Sequence, residues 1–198
     1  MANGRVVTGY SKPKVADYAC TAGVISYTNG MVLARGVSVE ISVDEGDSNN
    51  FYADNQLAES DTGTFTSGTA TLTVDGLKAN AEKSIQGLPT ADDDGFLNYN
   101  DDQNKGYKGI GYITRYQSDG VVTFVPTIIV KTKFNQLSRS AQTQEESKNY
   151  QTQQLTARIH RGDDAKHTWL KVSETEYETE AAAEAALNAA LGITNVGG

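Results

Sequence analysis

The sequence predicts a mainly β fold: a two-sheet sandwich or barrel-like arrangement with one short flanking helix and one C-terminal helix. Three observations predict it. Several runs alternate apolar and polar residues with a period of two, above all Val37, Val39, Ile41 and Val43 against Ser38, Glu40, Ser42 and Asp44. Turn chemistry separates such runs, as in Thr28-Asn29-Gly30 and Gln117-Ser118-Asp119-Gly120. Hydrophobic content is modest at 38%, while Gly (19), Ser and Thr are plentiful. That composition suits a thin core under sheets that each keep one wet face.

At 198 residues the chain reads as one domain, 1–198. It divides into an N-terminal arm (1–14), long loops at 89–105 and 135–150, and a C-terminal helix (173–192). Val24–Tyr27 and Met31–Ala34 flank Asn29-Gly30, which predicts a hairpin. The alternation from Val37 to Asp44 predicts a strand with a buried face and an acidic, wet face. The acidic loop Glu45–Asn50 ends at Phe51-Tyr52, where another strand starts. Ala70, Leu72 and Val74 alternate with Thr69, Thr71 and Thr73, a half-buried and β-prone pattern.

A short helix follows, with Asp75 as its cap, a stripe of Leu77, Ala81, Ile85 and Leu88, and Gly87 as its stop. Pro89–Lys105 holds five Asp and no hydrophobic period, so it predicts a surface loop. Ile110, Tyr112, Thr114 and Tyr116 form one strand. Val121–Phe134 returns as a central strand, apolar on both faces through Val125 and Ile128–Val130. Pro126 cannot donate to a ladder, which predicts a bulge or an edge there. Asn135–Tyr150 is polar and unpatterned, and loops of such length tend to be functional or disordered. Leu155, Ala157 and Ile159 alternate with Gln154, Thr156, Arg158 and His160. Thr168–Val172 predicts the last strand. The final helix, Ser173–Gly192, has a capping box at Ser173 and Glu176 and a stripe of Ala183, Leu187, Ala190 and Leu191.

Charge and cysteine content narrow the function. A net charge of −8 and a pI near 4.7 argue against tight binding to phosphate backbones, which needs basic patches. The single Cys20 excludes an internal disulfide framework. Met1–Lys14 lacks the apolar stretch of a signal peptide. No apolar run approaches the roughly 20 residues of a membrane helix. The expectation is a soluble chain folded in a cytoplasm, with no membrane partner.

Groups able to carry chemistry are few. His160 and His167 flank Asp163 and Asp164, but their spacing matches no common zinc pattern. Asp92-Asp93-Asp94-Gly95 with Asp101-Asp102 resembles a calcium loop, yet Leu97 stands where the loop needs glycine. Gly106-Tyr107-Lys108-Gly109-Ile110-Gly111 precedes a strand, whereas a phosphate cradle follows one. Arg161-Gly162-Asp163 reads as a tight turn. Cys20 has no nearby histidine to activate it, and no carboxylate pair sits in apolar surroundings. The expectation is a non-enzyme with no catalytic residue, cofactor or metal.

The succession of segments resembles the major tail (tail-tube) proteins of long-tailed bacteriophages with flexible, non-contractile tails. It rests on Phe51-Tyr52-Ala53-Asp54-Asn55, Ala58-Glu59-Ser60-Asp61, Gly68–Asp75 and the helix at Leu77–Gln86. It continues through Gly109–Tyr116, Val130-Lys131-Thr132-Lys133-Phe134, the strand near Gln153–Arg161, and Trp169 before a helical tail. The polar stretch Asn135–Tyr150 departs from that family in having less charge and glycine. The resemblance implies a tail-tube subunit of a virion, made in the host cytoplasm, whose hexameric rings stack into a tube. Its partners would be copies of itself, a tape-measure protein, a tail terminator and distal tail or baseplate proteins. DNA would pass through the lumen without specific binding.

Under that resemblance Glu40, Asp44, Glu59 and Asp61 are candidates to line the lumen. Glu45, Asp47, Phe51, Tyr52, Asn135 and Gln136 are candidates for contacts between subunits or rings. Three alternatives stand beside it: a monomeric sandwich that binds carbohydrate or acts as an adhesin, using its ten Tyr and Trp169; a small enzyme; or another tail component of the same fold, such as a tail terminator.

Overall fold

Strand β8 (Val121–Phe134) runs through the middle of the molecule, and the rest of the chain is arranged to cover it. The computed structural model describes residues 4–46, 49–53, 56–61, 63–143 and 150–194, with the backbone alone for 49–53 and 56–61. The fold is mainly β. Around β8 stand β1 (Val6–Thr21), β2 (Val24–Val32), β3 (Gly36–Glu45), β6 (Phe65–Val74), β7 (Lys108–Ser118), β9 (Gln153–His160) and β10 (Leu170–Val172). They form one antiparallel sheet in the order β2-β1-β7-β8-β9-β6-β3, with β10 also on β8. Between β3 and β6, the hairpin β4 (Asn49–Ala53) and β5 (Gln56–Asp61) forms a separate two-stranded sheet. The helices are α1 (Ala79–Gln86) and α2 (Glu180–Ala190).

The expected pair of sheets is therefore one continuous sheet curled on itself. Inward side chains from both wings share a cluster: Val15, Ile110, Tyr112 and Ile129 from one, Leu72, Val74, Leu155 and Ile159 from the other. The wings touch at Gly36 of β3, where a Cβ would lie 2.2 Å from the Tyr10 ring of β1. Only glycine permits that approach.

The other face of β7–β8 carries Ile113 and Ile128 and is sealed by Ala183 and Leu187 of α2 and by its C-cap residue Leu191. This arrangement follows from the two-sided apolar character of β8. A strand buried on both faces needs a layer on each side.

Polar links fasten α2 and the segment before it to β1 and the residue preceding it at every fourth residue. Glu176 pairs with Arg5 and Glu180 with Ser11. Glu184 takes Lys12 at 3.2 Å and Lys14 at 2.6 Å, and Asn188 also accepts from Lys14. Positions four apart share a helix face, so α2 presents one polar and one apolar stripe to the sheet. Lys14 is 0% exposed beneath it.

Several expectations are corrected by the architecture. Residues 6–14, expected as an arm, are the first half of β1, paired with β7; β2 joins β1 only from Lys14 onward. Lys12 at φ 55 and two register shifts break the alternation that would have betrayed a strand. Asn29-Gly30 is a bulge and not a turn: both residues lie opposite Ala16, between the pairs Val15↔Met31 and Asp17↔Thr28. The chain reverses at Ala22-Gly23 instead, both at positive φ.

Pro126 lies in a regular register opposite Ile113, without a bulge. It shares the parity of Phe124 and Val130, whose N–H groups point away from β7 toward Tyr177 and Trp169. Its missing donor thus falls in the gap between β10 and the Tyr177 bridge and deprives β7 of nothing. The Asp119-Gly120 turn, at φ 50 and 83, joins β7 to β8 as the sequence predicts.

Both helices start later than expected. Asp75 binds the Arg35 backbone N–H and guanidinium and leaves α1 without a side-chain cap. Ser173 and Glu176 are not a capping box, because Tyr177 bridges to Phe124 as a strand would. The cap of α2 is Thr179, whose hydroxyl accepts from Ala182 N at 3.3 Å. Asn188 is buried where Ala190 was expected, and Ala190 is exposed.

Replacing Glu184 by Ala leaves the Lys14 ammonium buried with an amide as its main partner. The expected cost is about 3 kcal/mol in urea unfolding. Burial raises the Glu184 pKa, but hydrogen bonds from Lys14 and Lys12 more than offset this and hold it below 4.5. A depressed folded pKa means the contribution is complete above the ordinary glutamate range. The urea midpoint of the wild type should fall as pH drops through that range, and fall less in Glu184→Gln. Gly87 ends α1 at φ 60, and a Cβ there would meet the Asn104 carbonyl oxygen at 2.0 Å. Gly87→Ala should cost more than about 1 kcal/mol and loosen the 89–105 loop, read as faster amide exchange at Asn104.

Candidate functional site

The outward face of the β3–β6–β9–β8 wing is polar, and strand register sets its pattern. One row across the strands is Ser42, Thr69, Arg158 and Lys133; another places Glu40 beside Thr71 and Thr156. Lys131 stands opposite His160, and Asp44 opposite Ser67. The face is therefore acidic at the β3 border, neutral along its Ser and Thr middle, and basic on β9 and β8.

Glu40 is exposed, and Asp44 accepts from the Ser67 hydroxyl at 3.0 Å. Both lie on the wet side of β3, as the alternation predicts. Glu45 is exposed at the end of the same strand, opposite Phe65. Phe51 and Tyr52 lie on β4, Glu59 and Asp61 on β5, with Phe51 opposite Glu59. Their side chains lie outside the described residues, and so does all of Asp47. Asn135 is held by its backbone, donating to Thr156 O at 2.8 Å and accepting from Gln86 Nε2 at 2.9 Å. Its side chain and that of Gln136 are exposed. The structure thus gathers Glu40, Asp44 and Glu45 on one border and sets Asn135 and Gln136 apart, beyond the end of β8.

The basic half of the face was missed from sequence. Lys131 and Lys133 on β8 face His160 and Arg158 on β9, so the like charges of Lys133 and Arg158 are direct cross-strand neighbours. Tyr107 lies against them: Lys131 Nζ is 4.4 Å and Lys133 Nζ 5.6 Å from its ring centroid, and the His160 ring meets it edge-on at 5.4 Å. Asp163 holds Lys131 through both carboxylate oxygens, at 2.7 and 2.8 Å. Among the described residues, no carboxylate forms an ion pair with Lys133 or Arg158. Burial, then Arg158, Lys131 and Lys133, lower the His160 pKa below its ordinary 6.5. The signal available was two charged pairs at period two, but only the register shows that they meet.

Several other chemical candidates are committed to local structure. Asp164 accepts from Thr168 N at 2.8 Å and Thr168 Oγ1 at 2.7 Å, closing the turn that holds His167. Asp92 caps its own loop through Phe96 N at 2.7 Å and Asn98 Nδ2 at 3.1 Å. Arg161 ties β9 to the start of β6 through Phe65 O and Thr64 Oγ1. Trp169 stacks on Phe65 with centroids 4.5 Å apart and planes 7° from parallel. Among the described residues no helix is long and apolar enough to cross a membrane.

Neutralising the cross-strand pair tests this electrostatic description. The double variant Lys133→Gln, Arg158→Gln should raise the His160 pKa toward 6.5 in an NMR titration. It should leave stability unchanged or raise it by up to about 1 kcal/mol, since like charges directly opposite are destabilising.

No protein-family model matches the chain, and no curated protein matches it at a significant level of similarity.

Proposed function

We propose that this chain is a structural, non-catalytic tail-tube subunit of a long-tailed bacteriophage, whose copies close into hexameric rings and stack into a tube. The observation that carries the proposal is the pair of open borders on the large sheet. The outer strands β2 and β3 each pair on one side only among the described residues. Each carries exposed valines: Val24 and Val32 on β2, Val37 and Val43 on β3. A free edge with apolar side chains is an aggregation hazard unless another chain completes it. Two different borders meeting head to tail generate a heterologous interface, the kind that closes into a ring. The β4–β5 hairpin, paired only with itself among the described residues, supplies a ribbon for contacts along the axis, since isolated hairpins are marginal in water.

In this account Glu40 and Asp44 line the lumen together with Glu59 and Asp61. Their repulsion of phosphate, felt within about 8 Å at physiological salt, keeps DNA from adhering. Arg158 and Lys133 lie two and three strands further along the same face. At roughly 4.8 Å per strand, the β3 border must therefore turn toward the lumen and the basic half away from it. The tape-measure, terminator and distal tail proteins are the remaining partners. A carbohydrate-binding module is disfavoured, because Trp169 offers one ring face to Phe65 rather than to a sugar.

Val37 is 54% exposed in the monomer, so Val37→Lys should fold normally while blocking the β3 edge. Wild-type protein should form rings or tubes of even diameter in electron micrographs and sediment faster as concentration rises. Val37→Lys should remain monomeric. Wild-type protein that stays monomeric at every concentration contradicts the proposal.

A further inference from the structure

On a strongly acidic chain, the basic cluster on β8–β9 keeps Lys133 and Arg158 free of any ion pair among the described residues, while Asp163 takes Lys131. Two cross-strand pairs of cations or bases stand side by side, with a half-exposed Tyr107 across them and one carboxylate, Asp163, at the margin. Like charges placed directly opposite cost stability, and an incoming anion recovers that cost. Asp163 shows that a carboxylate fits, since it engages Lys131 with both oxygens.

A complementary element occurs on the same chain. The 89–105 loop carries Asp93, Asp94, Asp101 and Asp102, all exposed and in no ion pair among the described residues. Phe96, in their midst, is 69% exposed. An aromatic flanked in sequence by carboxylates matches a tyrosine that lies against two lysines.

We propose that the β8–β9 patch of one copy is the docking site for the acidic 89–105 loop of a second copy. The proposal rests on the self-assembly reading above and names one contact within it. Carboxylates of the loop pair with Lys133 and Arg158, and Phe96 packs beside Tyr107. A nucleic-acid strand is the other polyanion that a basic–aromatic patch can take. Two observations favour the loop. Lys131 already covers the Tyr107 ring at 4.4 Å, where a base would stack. The chain's net charge of −8 repels a long polyanion, while a short loop of the same chain arrives with its own apolar anchor.

The test uses full-length protein and three variants: Lys133→Glu with Arg158→Glu, Asp93→Lys with Asp94→Lys, and all four changes together. Every altered side chain is exposed, and circular dichroism verifies folding. Each double variant should raise the concentration for half-assembly about tenfold, and the fourfold swap should return it close to wild type, as charge complementarity requires. In a mixture of isotopically labelled and unlabelled wild-type chains, carbodiimide should cross-link Lys133 or Lys131 of one copy to an aspartate of 92–102 of another. Tubes that form normally in both double variants, or cross-links that map to residues 44–61, overturn this contact and leave the tube reading standing. Wild-type chains that never associate overturn both. Binding of a single-stranded oligonucleotide at physiological salt, lost in Lys133→Glu with Arg158→Glu, assigns the patch to nucleic acid and overturns the loop proposal.

Discussion

The two-sided burial of β8 is the constraint on which the rest of the structure depends. Val125 through Val130 are all buried, so the strand needs a hydrophobic layer on both faces. One layer comes from the sheet itself, which curls until β6 and β9 face β1 and β7, with α1 contributing Ala81 and Ile85. The other comes from α2, laid across Ile113 and Ile128. Hydrophobic burial of this kind is non-directional, so something else must fix where α2 lies. The ladder of Glu176, Glu180, Glu184 and Asn188 against β1 supplies that direction, with Lys14 buried at its centre.

A curled sheet of this kind does not close. A barrel removes its edges by joining its first strand to its last, whereas here β2 and β3 stay unpaired on their outer sides among the described residues. The wings touch at Tyr10 and Gly36, but that is side-chain packing and not a ladder. The molecule thus combines a well-buried interior with an unpaired border. That combination is economical for a subunit and hazardous for a monomer, and it links packing to the assembly role proposed above.

Much of this was legible in the sequence. Period-two patterning located β3, β6, β7 and β9, the apolar run marked β8 as central, and Asp119-Gly120 and Gly87 stood where a turn and a helix end were expected. The failures share a physical cause: tertiary partners outcompeted local signals. Asn29-Gly30 has hairpin chemistry but is a bulge, because β2 pairs with β1 on both sides of it. Asp75 has cap chemistry but is taken by Arg35. Ser173 and Glu176 have the spacing of a capping box, yet Phe124 recruits Tyr177 into a bridge and delays α2. The candidate surface was half legible. Glu40 and Asp44 stood on the predicted wet face, but Lys133 and Arg158 meet only through a register that no local pattern encodes.

Amide hydrogen exchange, compared between dilute monomer and concentrated protein, tests the central claim most directly, because it reads the free edges themselves. If copies of the chain complete the sheet, the outward-facing N–H groups of Val24–Val32 and Gly36–Glu45 should be strongly protected on concentration, with those of Val125–Val130 slow throughout. Edges that exchange equally fast in both states would contradict the account.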